Sequence, residues 1–217
     1  MSIVITGNPG VGKHTVTKEI SKHLGLPISD INSIARDAGL FEKNDDTNDV
    51  DISELEKIIK EKIPTPSLIV GHLAPYVLSP DQVKKMIVLR RNPYDLISVY
   101  KKREYTEEKT RENTGSEILG IIAHDAINQF GVKVFQVDVT GKSISEVTEK
   151  VLSIINERGV SDEVDWLDLV TKQNDLKKFF AYKSWVRKPT SFRGEMKANY
   201  IIITRYCIII TETKNIA

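Results

Sequence analysis

The chain has 217 residues, 40% of them hydrophobic and 28% charged, which is ordinary for a soluble globular protein with one full core and an appendage. The formal net charge of +1 does not require a nucleic-acid partner, and the single cysteine, Cys207, excludes an intramolecular disulfide. The sequence shows no signal peptide and no apolar run near the ~20 residues that span a membrane, so we expect a cytoplasmic protein with no membrane partner.

The first predicted elements are a strand, a turn and a helix. Ser2–Thr6 is a short run rich in β-branched residues, which predicts a buried strand, and residues 7–12 form a glycine-rich turn. The next apolar residues recur at helical spacing up to Gly25 and are Val16, Ile20 and Leu24. A second short strand is predicted at 26–31, and a short helix follows it.

The middle of the chain continues this alternation. Residues 42–51 (EKNDDTNDVD) are acidic and polar, which predicts a loop. Helical spacing returns at 52–63, and two prolines separate that helix from an apolar strand at 67–70. A further strand is predicted at 86–89.

The last elements of the alternation extend to residue 155. A helix is predicted at 92–100, a segment of dense mixed charge at 103–113, and an amphipathic helix at 118–130. The last strand is predicted at 132–137 and the helix behind it at Ile144–Ile155. Strands that alternate with helices indicate an α/β fold with a parallel, doubly wound sheet.

The pattern changes after Gly159. We therefore predict an α/β domain over residues 1–159 and a C-terminal extension over 160–217. Trp166 follows an acidic stretch and is interpreted as a packing anchor. Residues 200–211 (YIIITRYCIIIT) are interpreted either as a strand pair or as a single edge strand.

Charge is concentrated in the last part of this extension. Residues 183–217 contain seven Lys or Arg and two Asp or Glu, a net charge of +5, so the remaining residues carry −4. A segregated basic segment with interleaved aromatic residues is typical of a salt-sensitive contact with RNA. The alternative interpretation is an extension that packs its isoleucines against the domain.

The sequence G-N-P-G-V-G-K-H-T begins at Gly7, directly after a strand and directly before a helix, which is the context of a phosphate-binding loop. Glycines let backbone N–H groups approach phosphate oxygens, and the lysine supplies a charge for the β- and γ-phosphates. The predicted ATP-binding residues of the loop are Gly10, Val11, Gly12, Lys13, His14 and Thr15. The Thr15 hydroxyl is predicted to bind Mg²⁺ together with the nucleotide phosphates.

The common pattern has Ser or Thr directly after the lysine, whereas this chain has His14 there. His14 acts either as an acid–base group or through its backbone N–H alone. The second interpretation is favoured, because phosphoryl transfer depends mainly on positioning and electrostatics.

The loop written as G-x-P-G-x-G-K-x-T resembles that of adenylate kinases. The chain is most similar to the adenylate kinase isoenzyme 6 family, whose members are also described as ATPases in small ribosomal subunit assembly. The similarity covers residues 1–159. It implies a three-layer P-loop nucleoside-monophosphate-kinase fold, transfer of phosphate from ATP to AMP with Mg²⁺, and a ribosomal protein or rRNA as a further partner.

The resemblance also places site residues outside the loop. Residues 30–53 match the family's monophosphate-binding region, so Asp30 and Arg36 are expected to bind AMP. Residues 102–112 match its mobile lid, and Arg103 is expected to close over the ATP phosphates as a catalytic residue. Lys142 matches a position near the adenine. Asn113, Glu117 and Ile118 match the family's Asn-x-x-x-Glu-Ile stretch at the start of the helix after the lid.

Two positions depart from the family pattern. Glu104 stands where the lid usually has Gly, and Val70 stands where members carry an aspartate that helps to hold Mg²⁺, although His72 of that motif is present. The second departure bears on ATPase activity and on metal geometry. Arg90 and Arg91 end a strand at the edge where ligands of open α/β sheets bind, so either is a candidate for a phosphate contact.

Two alternatives to an adenylate kinase remain open at this stage. The first is an assembly factor that uses ATP as a switch and binds a ribosomal protein or rRNA. The second is a kinase for another nucleoside monophosphate.

Overall fold

The structure is a computed structural model that describes residues 1–44, 47–180, 202–203 and 206–207. The strands, in chain order, are β1 (Ser2–Thr6), β2 (Ile28–Asp30), β3 (Phe41–Asn44), β4 (Thr47–Val50), β5 (Leu68–Val70), β6 (Val83–Arg90), β7 (Val134–Asp138), β8 (Ile202–Ile203) and β9 (Tyr206–Cys207). The helices are α1 (Lys13–Leu24), α2 (Ile31–Asp37), α3 (Ile52–Lys62), α4 (Ala74–Val77), α5 (Pro93–Lys102), α6 (Glu107–Ile118), α7 (Ile121–Phe130), α8 (Ile144–Ile155), α9 (Trp166–Lys172) and α10 (Leu176–Phe179).

Five strands form one parallel sheet in the order β2-β5-β1-β6-β7. The central strand β1 is buried along its whole length. Because parallel strands need a crossover connection, each is followed by a helix that returns the chain to the opposite edge of the sheet. The carboxyl ends of all five strands therefore lie at one edge, where ligands of open α/β sheets bind.

Side chains alternate between the two faces of the sheet and form two separate cores. Val4, Met86 and Val88 pack with α2, α3, α4 and α7 on one face. Ile5 and Leu89, one residue away in their strands, pack with α1, α5 and α8 on the other. This period of two follows from the pleat of a strand, and it produces the three layers expected from the sequence.

One predicted element is wrong, and two others begin later than predicted. Residues 42–51, predicted as a loop, contribute to an antiparallel hairpin of β3 and β4. The helix predicted at 118–130 is confirmed as α7, which begins at Ile121 because α6 ends at Ile118 and Gly120 adopts a left-handed φ of 62° between them. The predicted strand at 132–137 begins with a short 3₁₀ turn, Gly131–Lys133, before β7.

The first part of the C-terminal extension packs against the α/β layers. Val170 and Phe179 form a small cluster with Ile118, the last residue of α6, and Tyr94 of α5 packs against it. The Asp162 backbone N–H donates to the carbonyl oxygen of Gln136 in β7 at 2.9 Å. β8 pairs with β9, which agrees with the strand-pair interpretation of residues 200–211. Within the described ranges, no helix is both long and apolar enough to cross a bilayer.

Candidate functional site

The phosphate loop connects β1 to α1 and depends on glycine at two positions in particular. Gly7 has a φ of 129°, and a Cβ there would lie 2.3 Å from the carbonyl oxygen of Leu89. Gly12 has a φ of 97°, and a Cβ there would meet no heavy atom within 4 Å. No described side chain caps the first turn of α1. The loop therefore presents free backbone N–H groups to open space, which is the arrangement that binds phosphate.

Lys13 is the cation of this loop. Its side chain is only 5% exposed, and its Nζ donates to the carbonyl oxygen of Asn8 at 2.9 Å. Burial and, to a smaller extent, the positive charge of Arg103 lower the pKa of Lys13 to about 8, although Glu117 and Asp30 act in the opposite direction. The ammonium is therefore charged at neutral pH and lies where the loop would receive an anion.

His14 and Asp30 form a pair across the site. The Nε2 atom of His14, at the start of α1, lies 3.0 Å from Oδ2 of Asp30. The other oxygen of Asp30 accepts from the backbone N–H groups of Asn32 and Ser33 and so caps α2. Burial alone would raise the pKa of Asp30, but the hydrogen bond and charge of His14 and these backbone donors hold it below its usual value.

The end of β5 carries Val70 where the resembling family has an aspartate. Val70 is 1% exposed, so it is part of the core and offers no ligand atom. Asp30 lies beside it in register on the neighbouring strand and supplies a carboxylate at this point of the edge. Burial, together with the charge of Lys13, lowers the pKa of His72 to about 4, so His72 is neutral at physiological pH.

The predicted lid is partly helical. Arg103 directly follows α5 and has an exposed side chain, and its positive charge helps to lower the pKa of Lys13. Tyr105 stacks on Tyr100 with ring centroids 5.3 Å apart, and the Tyr100 hydroxyl donates to the carbonyl oxygen of Pro9 at 2.7 Å. The start of the lid is therefore connected to the loop through two aromatic rings.

Three other residues considered from the sequence lie away from the phosphate cradle or already have partners. Arg36 is exposed in the last turn of α2 and pairs with no other side chain in the described part of the chain. The Lys142 Nζ donates to the backbone carbonyl of Asp138 at 2.6 Å and lies 3.8 Å from the Asp162 carboxylate. The Arg90 guanidinium is bound to Glu117. Contacts of these three residues with a nucleotide stay predictions.

Sequence reasoning missed the role of Asn8 and the extent of the network around Glu117. The carboxylate of Glu117 is buried and binds Asn8, Arg90 and Trp166. The Asn-x-x-x-Glu-Ile match was the only signal, and it gave no partner. Arg91 donates a long hydrogen bond, 3.5 Å, to the carbonyl oxygen of Gly10.

The described residues contain no group of three or more His, Cys, Asp or Glu side chains arranged to hold a metal ion by themselves. The donors near the loop are the exposed Thr15 hydroxyl and the Asp30 carboxylate with its partner His14. This set fits Mg²⁺ that is bound largely by nucleotide phosphates, since Mg²⁺ uses one or two protein oxygens in such sites.

Comparison with known sequences identifies related proteins. Residues 3–120 match a family model described as "AAA domain". A protein of Thermococcus kodakarensis named "Putative adenylate kinase" is 34% identical over 173 residues, which is 78% of this chain and 94% of the relative. A protein of the same name from Thermococcus onnurineus is 33% identical over 71% of this chain and 84% of its own length.

Comparison with solved structures supports the fold. The YorR protein of Bacillus subtilis, solved in complex with phosphorylated GDP, aligns with a TM-score of 0.53 and 16% identity over 72% of this chain and 96% of its own. A gluconokinase from Sinorhizobium meliloti aligns with a TM-score of 0.50 and 16% identity over 72% and 91% of the two chains. With the parallel sheet, these likenesses show a three-layer α/β fold.

Proposed function

We propose, given that this chain belongs to the AAA domain family, that it is an adenylate kinase that transfers the γ-phosphoryl group of ATP to AMP and forms ADP from both. The observation that carries the proposal is the buried Lys13 ammonium, which binds a backbone carbonyl in a loop of free N–H groups. The name of the archaeal relatives supports AMP as the acceptor.

The described residues fit a reaction that needs positioning more than acid–base chemistry. An AMP phosphate oxygen is already ionised at neutral pH, so no strong general base is required. Lys13 and the backbone of Gly10–Thr15 would hold the ATP phosphates, and Arg103 would neutralise charge that develops on the transferred group. His14 is hydrogen-bonded to Asp30, which supports a role through its backbone N–H and through Asp30 rather than as a base.

Magnesium, when bound with ATP, would screen the phosphate charges and orient the transferred group. Thr15 would hold it through its hydroxyl. Because Val70 offers no ligand, we propose that Asp30 orients the metal's water ligands from the neighbouring strand, with His14 fixing the carboxylate.

The AMP site is proposed at the end of the sheet where α2 begins. Arg36 is a free guanidinium among the described side chains and suits a phosphate because its fork pairs two oxygens. Asp30 at the start of the same helix would accept a hydrogen bond from the nucleoside. Lys142 would lie near the adenine of ATP.

The direct test measures ADP formation from ATP with and without AMP, for the wild type and for Lys13→Ala. We expect ADP formation to require AMP, and we expect Lys13→Ala to lower kcat by about a hundredfold or more while the far-UV spectrum stays native. Near-normal turnover in Lys13→Ala would remove the phosphate-loop assignment. Equal ADP formation with and without AMP would remove the kinase assignment but leave ATP binding.

A second candidate function is an ATP-switched factor that binds a small ribosomal subunit protein or rRNA. The observation that favours it is the basic segment 183–217, which lies mostly outside the described residues. ATP hydrolysis that is stimulated by ribosomal material and not by AMP would favour this function. Turnover with another nucleoside monophosphate in place of AMP would instead redefine the acceptor.

A further inference from the structure

A buried carboxylate joins three distant parts of the chain. Glu117, in the last turn of α6, is 0% exposed. Its Oε1 atom accepts from Arg90 Nε at 2.8 Å and from the Arg91 backbone N–H at 3.0 Å. The same oxygen accepts from the indole Nε1 of Trp166 at 3.0 Å. α6, the end of β6 and the start of α9 therefore meet at one side chain.

The other oxygen of Glu117 reaches the phosphate loop. Oε2 accepts from Asn8 Nδ2 at 2.6 Å, and the Asn8 side-chain oxygen accepts from the Ser116 hydroxyl at 3.1 Å. Both ends of the Asn8 amide are thus held by the last turn of α6. We call these two hydrogen bonds the clamp on Asn8. The backbone carbonyl of Asn8 accepts a hydrogen bond from Lys13 Nζ, so the clamp holds the residue to which the Lys13 ammonium is bound.

We propose that Trp166 is a positioning residue for the phosphate loop. Its indole N–H fixes the Glu117 carboxylate in the orientation that clamps Asn8, and the segment after the α/β alternation thereby sets the affinity of the loop for nucleotide phosphates. The proposal rests on the proposed function in one respect, which is that the loop binds the phosphates of ATP.

The need for the third donor follows from burial and charge. A carboxylate removed from water must be satisfied by hydrogen bonds, and Arg90, itself 4% exposed, supplies the countercharge. Two of the donors on Oε1 come from the end of β6 and the third from α9, and together they restrict rotation of the carboxylate. Without the indole N–H, the Glu117 carboxylate has no donor on the side of α9 and can rotate more freely. Its Oε2 atom is then less firmly directed at Asn8.

The test compares two variants that each remove one hydrogen bond to the segment after residue 159. Trp166→Phe removes the donor to Glu117 and keeps an aromatic ring in the cluster. Tyr94→Phe removes the hydroxyl that donates to Asp175 at 2.8 Å, touches none of the hydrogen bonds of Glu117, and serves as the matched control. We expect Trp166→Phe to raise the KM for ATP about threefold to tenfold, with the KM for AMP unchanged, and Tyr94→Phe to change neither.

A second measurement needs no variant at position 166 and no turnover. Replacing Trp185 by Phe leaves Trp166 as the single tryptophan of the chain. Saturation with ADP, verified by calorimetry, should change the fluorescence emission of Trp166. We expect Lys13 to leave the Asn8 carbonyl when phosphate binds, and the resulting shift of Asn8 to reach the indole through Glu117. Unchanged emission at saturation, or equal KM values for ATP in the two Phe variants, would overturn the proposal. Because ADP binding is measured without AMP, a chain that binds ADP but forms none from AMP would refute only the kinase assignment.

Discussion

The protonation of Lys13 is coupled to the occupancy of the phosphate loop. Burial lowers the pKa of its ammonium to about 8, with the charge of Arg103 acting in the same direction. The unfolded chain, with a pKa of 10.5, binds more protons than the folded chain between these two values. The contribution of Lys13 to the free energy of unfolding therefore rises with pH over that interval. Bound phosphate would stabilise the charged form and raise the pKa again.

We therefore expect the affinity for ADP to fall as the pH rises above about 8, by up to about tenfold per pH unit, because binding then requires proton uptake. Calorimetry in two buffers with different ionisation enthalpies measures both the affinity and the proton uptake. Lys13→Met, which keeps the chain length, should bind ADP more weakly and without proton uptake from this group. A constant wild-type affinity across this pH range would contradict the coupling.

The turn between α5 and α6 is strained at one residue. Glu104 has a φ of 56°, a left-handed conformation that glycine adopts without penalty and other residues adopt at a cost. This is the lid position at which the resembling family has glycine. Glu104 therefore stands in place of glycine at a position where the backbone still adopts the left-handed conformation that favours glycine.

Glu104→Gly should relieve about 1–2 kcal/mol of backbone strain and lose about 0.5–1 kcal/mol through the greater freedom of the unfolded chain. The net effect is a gain of up to about 1.5 kcal/mol in the free energy of unfolding, measured by urea denaturation. Lys101→Gly, an exposed substitution within α5, is the control and should lower the free energy of unfolding. A loss of stability in Glu104→Gly as large as that of the control would show that no strain is stored at the turn.

The β3–β4 hairpin could not be recognised from the amino-acid composition of its residues. Its residues are acidic and polar, so the sequence predicted a loop, but Phe41 to Asn44 pair with Thr47 to Val50 through the backbone. Main-chain hydrogen bonds do not depend on hydrophobic side chains, and Asn and Asp favour the tight turn between such strands. A two-stranded hairpin therefore leaves little trace in the hydrophobic pattern.

The packing of residues 160–180 bears on where the working protein ends. The first part of this segment runs beside β7, with the Asp162 carboxylate bonded to the backbone N–H of Asp138 and to Lys150. Its later part buries Val170 and Phe179, which are 0% and 3% exposed. The domain boundary proposed at residue 159 follows the end of the α/β alternation and not these contacts.

A chain that ends after Phe180 should unfold at nearly the temperature of the full chain, whereas one that ends after Gly159 should be markedly less stable. Burial of two large apolar side chains contributes about 3–6 kcal/mol, a large part of the stability of a typical domain. Thermal unfolding of the three chains measures the difference. Equal melting temperatures for the full chain and the chain ending at Gly159 would show that residues 160–180 are dispensable for the fold.

The alternation of strands and helices, the phosphate loop and the lysine within it were predictable from the sequence because each depends on neighbouring residues. β-branched runs, helical spacing and the G-x-x-x-x-G-K pattern carry their meaning within about twenty residues. The helix Ile144–Ile155 was predicted with the bounds that the structure shows, because its apolar stripe is uninterrupted.

The pair of His14 with Asp30 and the clamp on Asn8 were not predictable in this way. Asn8 and Glu117 are 109 residues apart in the chain, and they meet because β1 and β6 are neighbours in the sheet and α6 ends beside them. Likewise, Asp30 lies beside Val70 because β2 and β5 are paired in register. Strand order and register result from the packing of the whole sheet, so contacts that depend on them are not determined by any local stretch of sequence.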